Sequence, residues 1–323
     1  MASPAAVRTR NFRRLAWGAL AWNVGVVLWG AFVRASGSGA GCGNHWPLCN
    51  GEVVPQSSEI HTIIEFTHRM MSGVAFFAVA ALWLWSLRIF PRRNRVRTMA
   101  LASFCFLISE ALLGAGLVLF DYVGANGSAG RALYLSLHLA NTLLLLAALA
   151  LTAWFSRAPE RTTGRIAEMF AVALPVGLVV CVSGAIAALG DTLFPATSLR
   201  EGIRQDFSGT THFLVRLRVF HPALAVVAGI FFVWIAIAFL RSHGRREVNR
   251  LALALLLVTV LQLCAGAINL ALLAPVWMQI VHLLLADLVW ISLVLLAAES
   301  ASVNVEAPAP VSPAFAPHAA SPM

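Results

Sequence analysis

The amino-acid sequence predicts an all-α integral membrane protein of eight transmembrane helices, arranged as two pseudo-symmetric four-helix bundles. Three observations predict it. Of 323 residues, 59% are hydrophobic and only 11% charged, with a mean hydropathy of +0.81, whereas soluble domains carry roughly 25% charged residues. Eight apolar stretches are long enough to cross a bilayer, which takes roughly 20 residues. The last four stretches also repeat glycines and histidines of the first four. This composition excludes a disordered chain, a disulfide-rich secreted module and an ordinary soluble enzyme. The net charge of +9 does not indicate nucleic acid, because every one of the 23 basic residues is Arg and most cluster between apolar runs.

In chain order the spans are predicted at about 15–35, 66–88, 98–120, 132–155, 167–189, 218–240, 250–272 and 277–298. Arg8, Arg10, Arg13 and Arg14 precede the first. It is too long for the short apolar region of a signal peptide and reads as a retained anchor. The second connection carries Arg88, Arg92, Arg93, Arg95 and Arg97; the fourth Arg157, Arg161 and Arg165; the sixth Arg241, Arg245, Arg246 and Arg250. That puts sixteen of the 23 arginines on one side, which the positive-inside rule makes cytoplasmic. Both termini are then cytoplasmic, and segments 36–64 and 190–213 face outward. The Ala/Pro/Ser-rich tail, 299–323, is expected to be disordered. No transit-peptide pattern is present, so a bacterial plasma membrane is expected.

The repeat divides the chain into residues 1–156 and 157–298. Gly30-Ala31-Phe32-Val33 is answered by Gly184-Ala185-Ile186-Ala187, His68 by His221, Gly114 and Gly116 by Gly266, and His138 by His282. Four spans per half is an even number, so both halves run the same way through the membrane.

All four histidines lie a few residues below the outward end of an even-numbered span, at one depth. Ionisable residues inside a bilayer face the bundle interior. Neutral imidazole ligates haem iron, and facing helices of a bundle can hold a porphyrin between them. His68, His138, His221 and His282 therefore read as haem-iron ligands, against the plainer alternative of interhelical hydrogen bonds. Arg34, Arg69, Arg131, Arg216 and Arg218 fall at outward helix ends, against the charge rule. Guanidinium matches the carboxylate of a haem propionate; the plain alternative is snorkelling to the interface. Glu65, one turn before His68, can act as a base or stabilise developing positive charge, or simply pair with Arg69. It has no acidic counterpart in the second half, where Arg218 stands, and a di-iron site would need a second Glu-x-x-His motif. Glu110 and Asp287 read as polar helix contacts, with a proton path as the lesser alternative. Cys42 and Cys49 in the outward loop are expected to form a disulfide, His45 between them leaving metal binding as the alternative.

The run from Gly30 to Gly39 with Cys42-Gly43-Asn44-His45-Trp46-Pro47-Leu48-Cys49 resembles the first span and outer loop of the haem A synthase family. Glu65-Phe66-Thr67-His68-Arg69 and the three later histidines extend the resemblance over about residues 15–298. It implies an oxidoreductase of haem biosynthesis and cytochrome oxidase assembly. Such an enzyme oxidises the C8 methyl of haem O, through a hydroxylated intermediate, to the formyl group of haem A, with water as the oxygen source. It further implies that the first half holds the substrate haem O between His68 and His138, with Glu65 catalytic. The second half would hold the cofactor haem b between His221 and His282. Family members with a cysteine pair in the first outer loop are bacterial; the second pair some carry has no counterpart in 190–213. Expected partners are haem O, membrane lipid, an unidentified electron acceptor and a haem O synthase (farnesyltransferase) that could dock, but no nucleic acid. The alternative is a diheme b-type cytochrome exchanging electrons with quinone. A transporter fits less well, because the polar groups crowd the outward end rather than mid-membrane.

Overall fold

The computed structural model describes residues 3–157, 162–163, 168–242 and 244–303. Among these, the α-helices are α1 (Pro4–Ala35), α2 (Ile60–Ile89), α3 (Arg95–Leu119), α4 (Ala129–Phe155), α5 (Glu168–Leu193), α6 (Leu199–Asp206), α7 (Phe213–Arg218), α8 (Phe220–Ser242), α9 (Arg246–Ala271) and α10 (Val276–Ser300). They form eight candidate membrane spans, α7 and α8 together making the sixth. The protein is a multi-pass all-α membrane protein.

Local chemistry sets the helix ends. Ser3 accepts the Ala6 N–H at the start of α1, with Pro4 in the first turn. Asn94 and Ser128 cap α3 and α4 in the same way. The sixth span breaks at Val219 because Pro222 has no N–H to bond the Arg218 carbonyl four residues back. The spans start earlier than the apolar pattern indicates. α1 takes in the basic run from Arg8, back to its Ser3 cap, and α2 begins at Ile60 with no side-chain cap, because a helix once nucleated propagates beyond its apolar run. Segment 190–213 is not a plain loop: it holds the amphipathic helix α6, capped by Ser198. At the opposite end, Ser302 and Val303 pair with Thr162 and Thr163 in a two-residue antiparallel ladder. Residues 304–323 of the expected tail, and Arg161 and Arg165, lie outside the described residues.

The first four spans pack around one another, α1 on α2 and α4, α3 on α2 and α4; α5, α8, α9 and α10 do the same. The two groups meet where α4 lies against α5 and α10, and α1 against α10. Trp290 Nε1 donates to the Leu143 carbonyl at 2.7 Å, and Trp154 Nε1 to Glu299 at 3.0 Å, across that seam. The apolar cores occupy one end of each group. Around Phe12, Val79, Leu82, Leu146 and Leu149 in the first, and Phe170, Phe232, Ile235, Leu255 and Leu293 in the second, the filling lies wholly on the far side of the histidines from the outward loops. A third, smaller cluster of Ala132, Leu189 and Leu214 lies on the other side of the imidazoles, where α4, α5 and α7 meet.

Candidate functional site

His68 stands 8 residues past the start of α2, His138 9 past that of α4, His221 8 past that of α7 and His282 6 past that of α10. At about 1.5 Å per residue, the four lie at similar distances from their helix starts. Each ring rests on a glycine of a neighbouring helix. A β-carbon at Gly30 would meet His68 Cε1 at 2.9 Å, at Gly184 it would meet His221 Cε1 at 2.9 Å, and at Gly266 it would meet His282 Cε1 at 3.0 Å. Gly114 backs His138 more loosely, at 3.7 Å. The repeated glycines are thus the floor on which the repeated histidines lie.

The ring nitrogens are unevenly satisfied. Nδ1 of His68, His138 and His282 is buried without a hydrogen-bond partner, whereas His221 Nδ1 lies 3.0 Å from Ser183 Oγ. Buried polar atoms are nearly always paired, so incompletely satisfied rings at one level indicate a site for a ligand that accepts nitrogen donors; in His138 the unpaired Nδ1 faces Glu110, which leaves Nε2 as the donor. The His221 and His282 ring centroids are 6.3 Å apart, with planes at 83°. An imidazole nitrogen binds a first-row metal at about 2 Å, so two rings on opposite sides of one ion have centroids roughly 6 Å apart. The spacing of this pair would let both rings hold one haem iron.

Glu65 is 4% exposed. Its Oε2 accepts the Cys42 N–H at 2.9 Å and its Oε1 the Arg69 guanidinium at 2.5 Å. Arg69 also donates to the carbonyls of His45 at 2.8 Å and Leu48 at 2.6 Å. Thr62 holds the Gly41 carbonyl at 2.7 Å, and Ser38 pairs with His61 Nδ1 at 2.9 Å. The loop between α1 and α2 is therefore clamped onto the first turns of α2, with Glu65 under its buried Cys42–Cys49 disulfide. Since each sulfur is bonded to the other, the metal alternative at His45 has lost its thiolates. Alkylation of the denatured, unreduced protein should label only Cys105, Cys181 and Cys264, and all five cysteines after reduction; four or more labelled before reduction would contradict the pairing.

Residues 13–294 match the family described as "Cytochrome oxidase assembly protein". The chain belongs to that family. Among relatives, two Thermus thermophilus proteins named "Protoheme IX farnesyltransferase" are 49% identical over 305 residues, covering 92% of this chain and 49% of theirs. The chain thus spans about half the length of these curated relatives. A Bacillus mycoides protein named "Heme A synthase" is 44% identical over 100 residues, 31% of this chain and 32% of its own.

In this member of the cytochrome oxidase assembly family the five arginines expected at outward helix ends divide by partner. Arg69 faces Glu65, and Arg218 faces Asp206 at 2.5 Å and Asp191 at 3.1 Å. Arg34 crosses the seam to Ala188 O at 2.9 Å, Thr192 Oγ1 at 2.7 Å and Gln279 Oε1 at 2.9 Å. Arg131, buried, donates to Gly124 O at 2.6 Å and Asn126 O at 2.7 Å, leaving Nε without a partner. Arg216 is exposed, on a groove of about 580 Å³ with Phe207, Phe213 and Phe220. The hydrogen bonds of Arg34 and Arg131 thus run to neutral acceptors, while Arg69 and Arg218 are matched by carboxylates. Glu110 makes the polar helix contacts expected of it, to Asn141 Nδ2 at 2.6 Å and Thr142, and its Oε1 lies 3.4 Å from His138 Nδ1. Asp287 departs from expectation: 0% exposed, it has no hydrogen-bond partner on either oxygen. Sequence reasoning passed over Ser183 and Gln262. The repeat offset that relates Gly114 to Gly266 also relates Glu110 to Gln262, and was the available signal.

Proposed function

We propose that this chain is a haem A synthase, an oxidoreductase that converts the C8 methyl of haem O into a formyl group for cytochrome oxidase. The observation that carries the reading is that both groups of spans hold a glycine-backed histidine pair, but among the described residues only the first has a buried carboxylate three residues before its histidine, Glu65 before His68. The Bacillus relatives' name supports it over the third of the chain they match. In this reading residues 1–156 form the substrate half, with haem O between His68 and His138, and 157–298 the cofactor half, with haem b between His221 and His282. A bis-histidine haem has no open iron position, so it supplies electron transfer rather than oxygen chemistry.

The chain's own residues then have distinct tasks. Glu65, held in place by Cys42 and Arg69, accepts protons near the methyl group. Replacing methyl plus water by formyl releases four protons and four electrons, so both a proton acceptor and an electron exit are needed. The half-buried Arg34 and the buried Arg131 would take propionates, since carboxylates complete their charge; Arg69 and Arg218 hold the loops. The residues of the second half, His221 and His282, would hold the haem that supplies electron transfer, toward which, or toward an acceptor outside, the electrons would leave. We further propose a bacterial plasma membrane with both termini cytoplasmic, from the arginine distribution. A haem O-forming farnesyltransferase is proposed as a neighbour, since the Thermus proteins named for farnesyl transfer contain a match to nearly the whole chain in half their length.

Pigment extraction tests the reading. The full chain, expressed with a haem O source, should yield haem A or the hydroxymethyl intermediate by mass; haem b alone, even with haem O supplied, would make it a diheme cytochrome. His221→Ala should abolish the reduced-minus-oxidised signal of the b haem. Loss of that signal in His68→Ala instead would exchange the two halves.

A further inference from the structure

The two histidines on α4 and α10 face different polar partners. Glu110 on α3 and Gln262 on α9 each stand four residues before the glycine that backs the ring, Gly114 and Gly266. Glu110 Oε1 faces His138 Nδ1 at 3.4 Å, close but not hydrogen-bonded to it, and Gln262 Nε2 lies 3.3 Å from the other ring nitrogen of His282, Nε2. At equivalent places one half has a carboxylate and the other a neutral amide. Glu110 is well anchored. Asn141 Nδ2 donates to it at 2.6 Å, and Ser109 Oγ in turn donates to Asn141 Oδ1 at 2.6 Å. The Thr142 hydroxyl lies between Glu110 and the His138 carbonyl. Gln262 Oε1, by contrast, is buried without a partner. Turning that amide over would place its carbonyl on the ring N–H and free the other ring nitrogen.

We propose that Glu110 is a positioning and tuning residue for His138, and that the Glu110/Gln262 difference sets the direction of electron flow between the two halves. The argument is one of donor strength. A carboxylate accepting the N–H of a ligating imidazole fixes its orientation and makes the ring a stronger base. Stronger donation favours Fe(III) over Fe(II), which lowers the reduction potential. An amide in the same place, flipped to accept the proton of the other ring nitrogen, Nε2, carries no charge, so the second-half iron would sit higher. Electrons released in the first half then run downhill to the second. The inference rests on the proposed ligand roles of His138 and His282.

The test is a pair of exchanges in the purified, haem-loaded full chain: Glu110→Gln and Gln262→Glu. Midpoint potentials and ferric low-spin EPR signals would be measured for each haem, assigned to its half with His68→Ala and His221→Ala. Glu110→Gln should raise the first-half potential by about tenfold in Fe(II)/Fe(III) ratio at fixed applied potential, 59 mV for a one-electron couple. Gln262→Glu should lower the second-half potential by a similar factor, and each EPR signal should move with its own haem. A merely structural Glu110 would change haem content without moving either potential. Unmoved potentials at full haem content would overturn the proposal. So would loss of first-half haem in Glu110→Gln together with an unmoved potential in Gln262→Glu. A wild-type chain whose haem content is indifferent to His68→Ala and His138→Ala would instead overturn the ligand assignment beneath it, and is recognised before either exchange is made.

Discussion

Glu65→Gln is expected to keep both haems and to lose haem O oxidation by roughly 10²- to 10⁴-fold, the usual contribution of a positioned acid–base group. The substitution isolates charge from scaffold. Glutamine retains an oxygen for the Cys42 N–H, and Arg69 keeps its bonds to the His45 and Leu48 carbonyls, so the loop stays seated on α2. What disappears is the group that can take a proton beside the substrate. Glu65→Ala is the harsher comparison, because it leaves a buried N–H and a guanidinium short of an acceptor, at a cost of about 1–3 kcal/mol. The measurement is turnover of haem O to the hydroxylated and formyl products, by mass, normalised to bound haem. If Glu65→Gln turns over normally, Glu65 is only an anchor for the disulfide loop. If it loses haem as well as activity, the carboxylate supports the site rather than the reaction.

The parts of this arrangement that were legible in the sequence are those governed by short-range pattern. Bilayer thickness imposes the length of each apolar run, and the arginine clusters follow from topology, so the eight spans could be placed from residues alone. The histidines were legible because a repeat displays them twice. The helix ends were not, since capping by Ser3 and propagation of α2 back to Ile60 depend on local geometry outside the apolar runs. α6 escaped notice for a related reason: eight residues carrying Arg200 and Arg204 lack the uninterrupted apolarity that marks a span. The arginines were visible as anomalies, but their partners were not. Arg34 reaches Gln279, 245 residues away, and Arg218 meets Asp206 through a turn that exists only because α6 and α7 fold back on each other. Glu110 and His138 were both noticed, but their contact depends on the rotation of α3 against α4, which no spacing within either helix encodes.

Gly184→Ala and Gly30→Ala are expected to strip haem from the second and first halves respectively, although the same exchange usually stabilises a helix interior by about 0.5–1 kcal/mol. The added methyl has nowhere to go. At both positions it would lie 2.9 Å from an imidazole carbon, and pushing the ring away takes its nitrogen off the axis to the opposing histidine. Overpacking of this kind costs roughly 1–3 kcal/mol, a loss of haem affinity of about 5- to 150-fold. The glycines themselves supply the controls. Gly25 on α1 has nothing within 4 Å of its would-be β-carbon, and at Gly114 the nearest atom, His138 Cε1, is 3.7 Å away. Gly25→Ala and Gly114→Ala should therefore retain full haem content in detergent, read from the Soret band per mole of protein, while Gly184→Ala loses the b-type signal. A uniform response across all four variants would mean that helix packing rather than the seat of each ring decides haem retention. A graded response following the distances would tie the repeated glycines to the histidines they face. It would also explain physically why the repeat preserves a residue with no side chain together with one whose side chain is the proposed ligand.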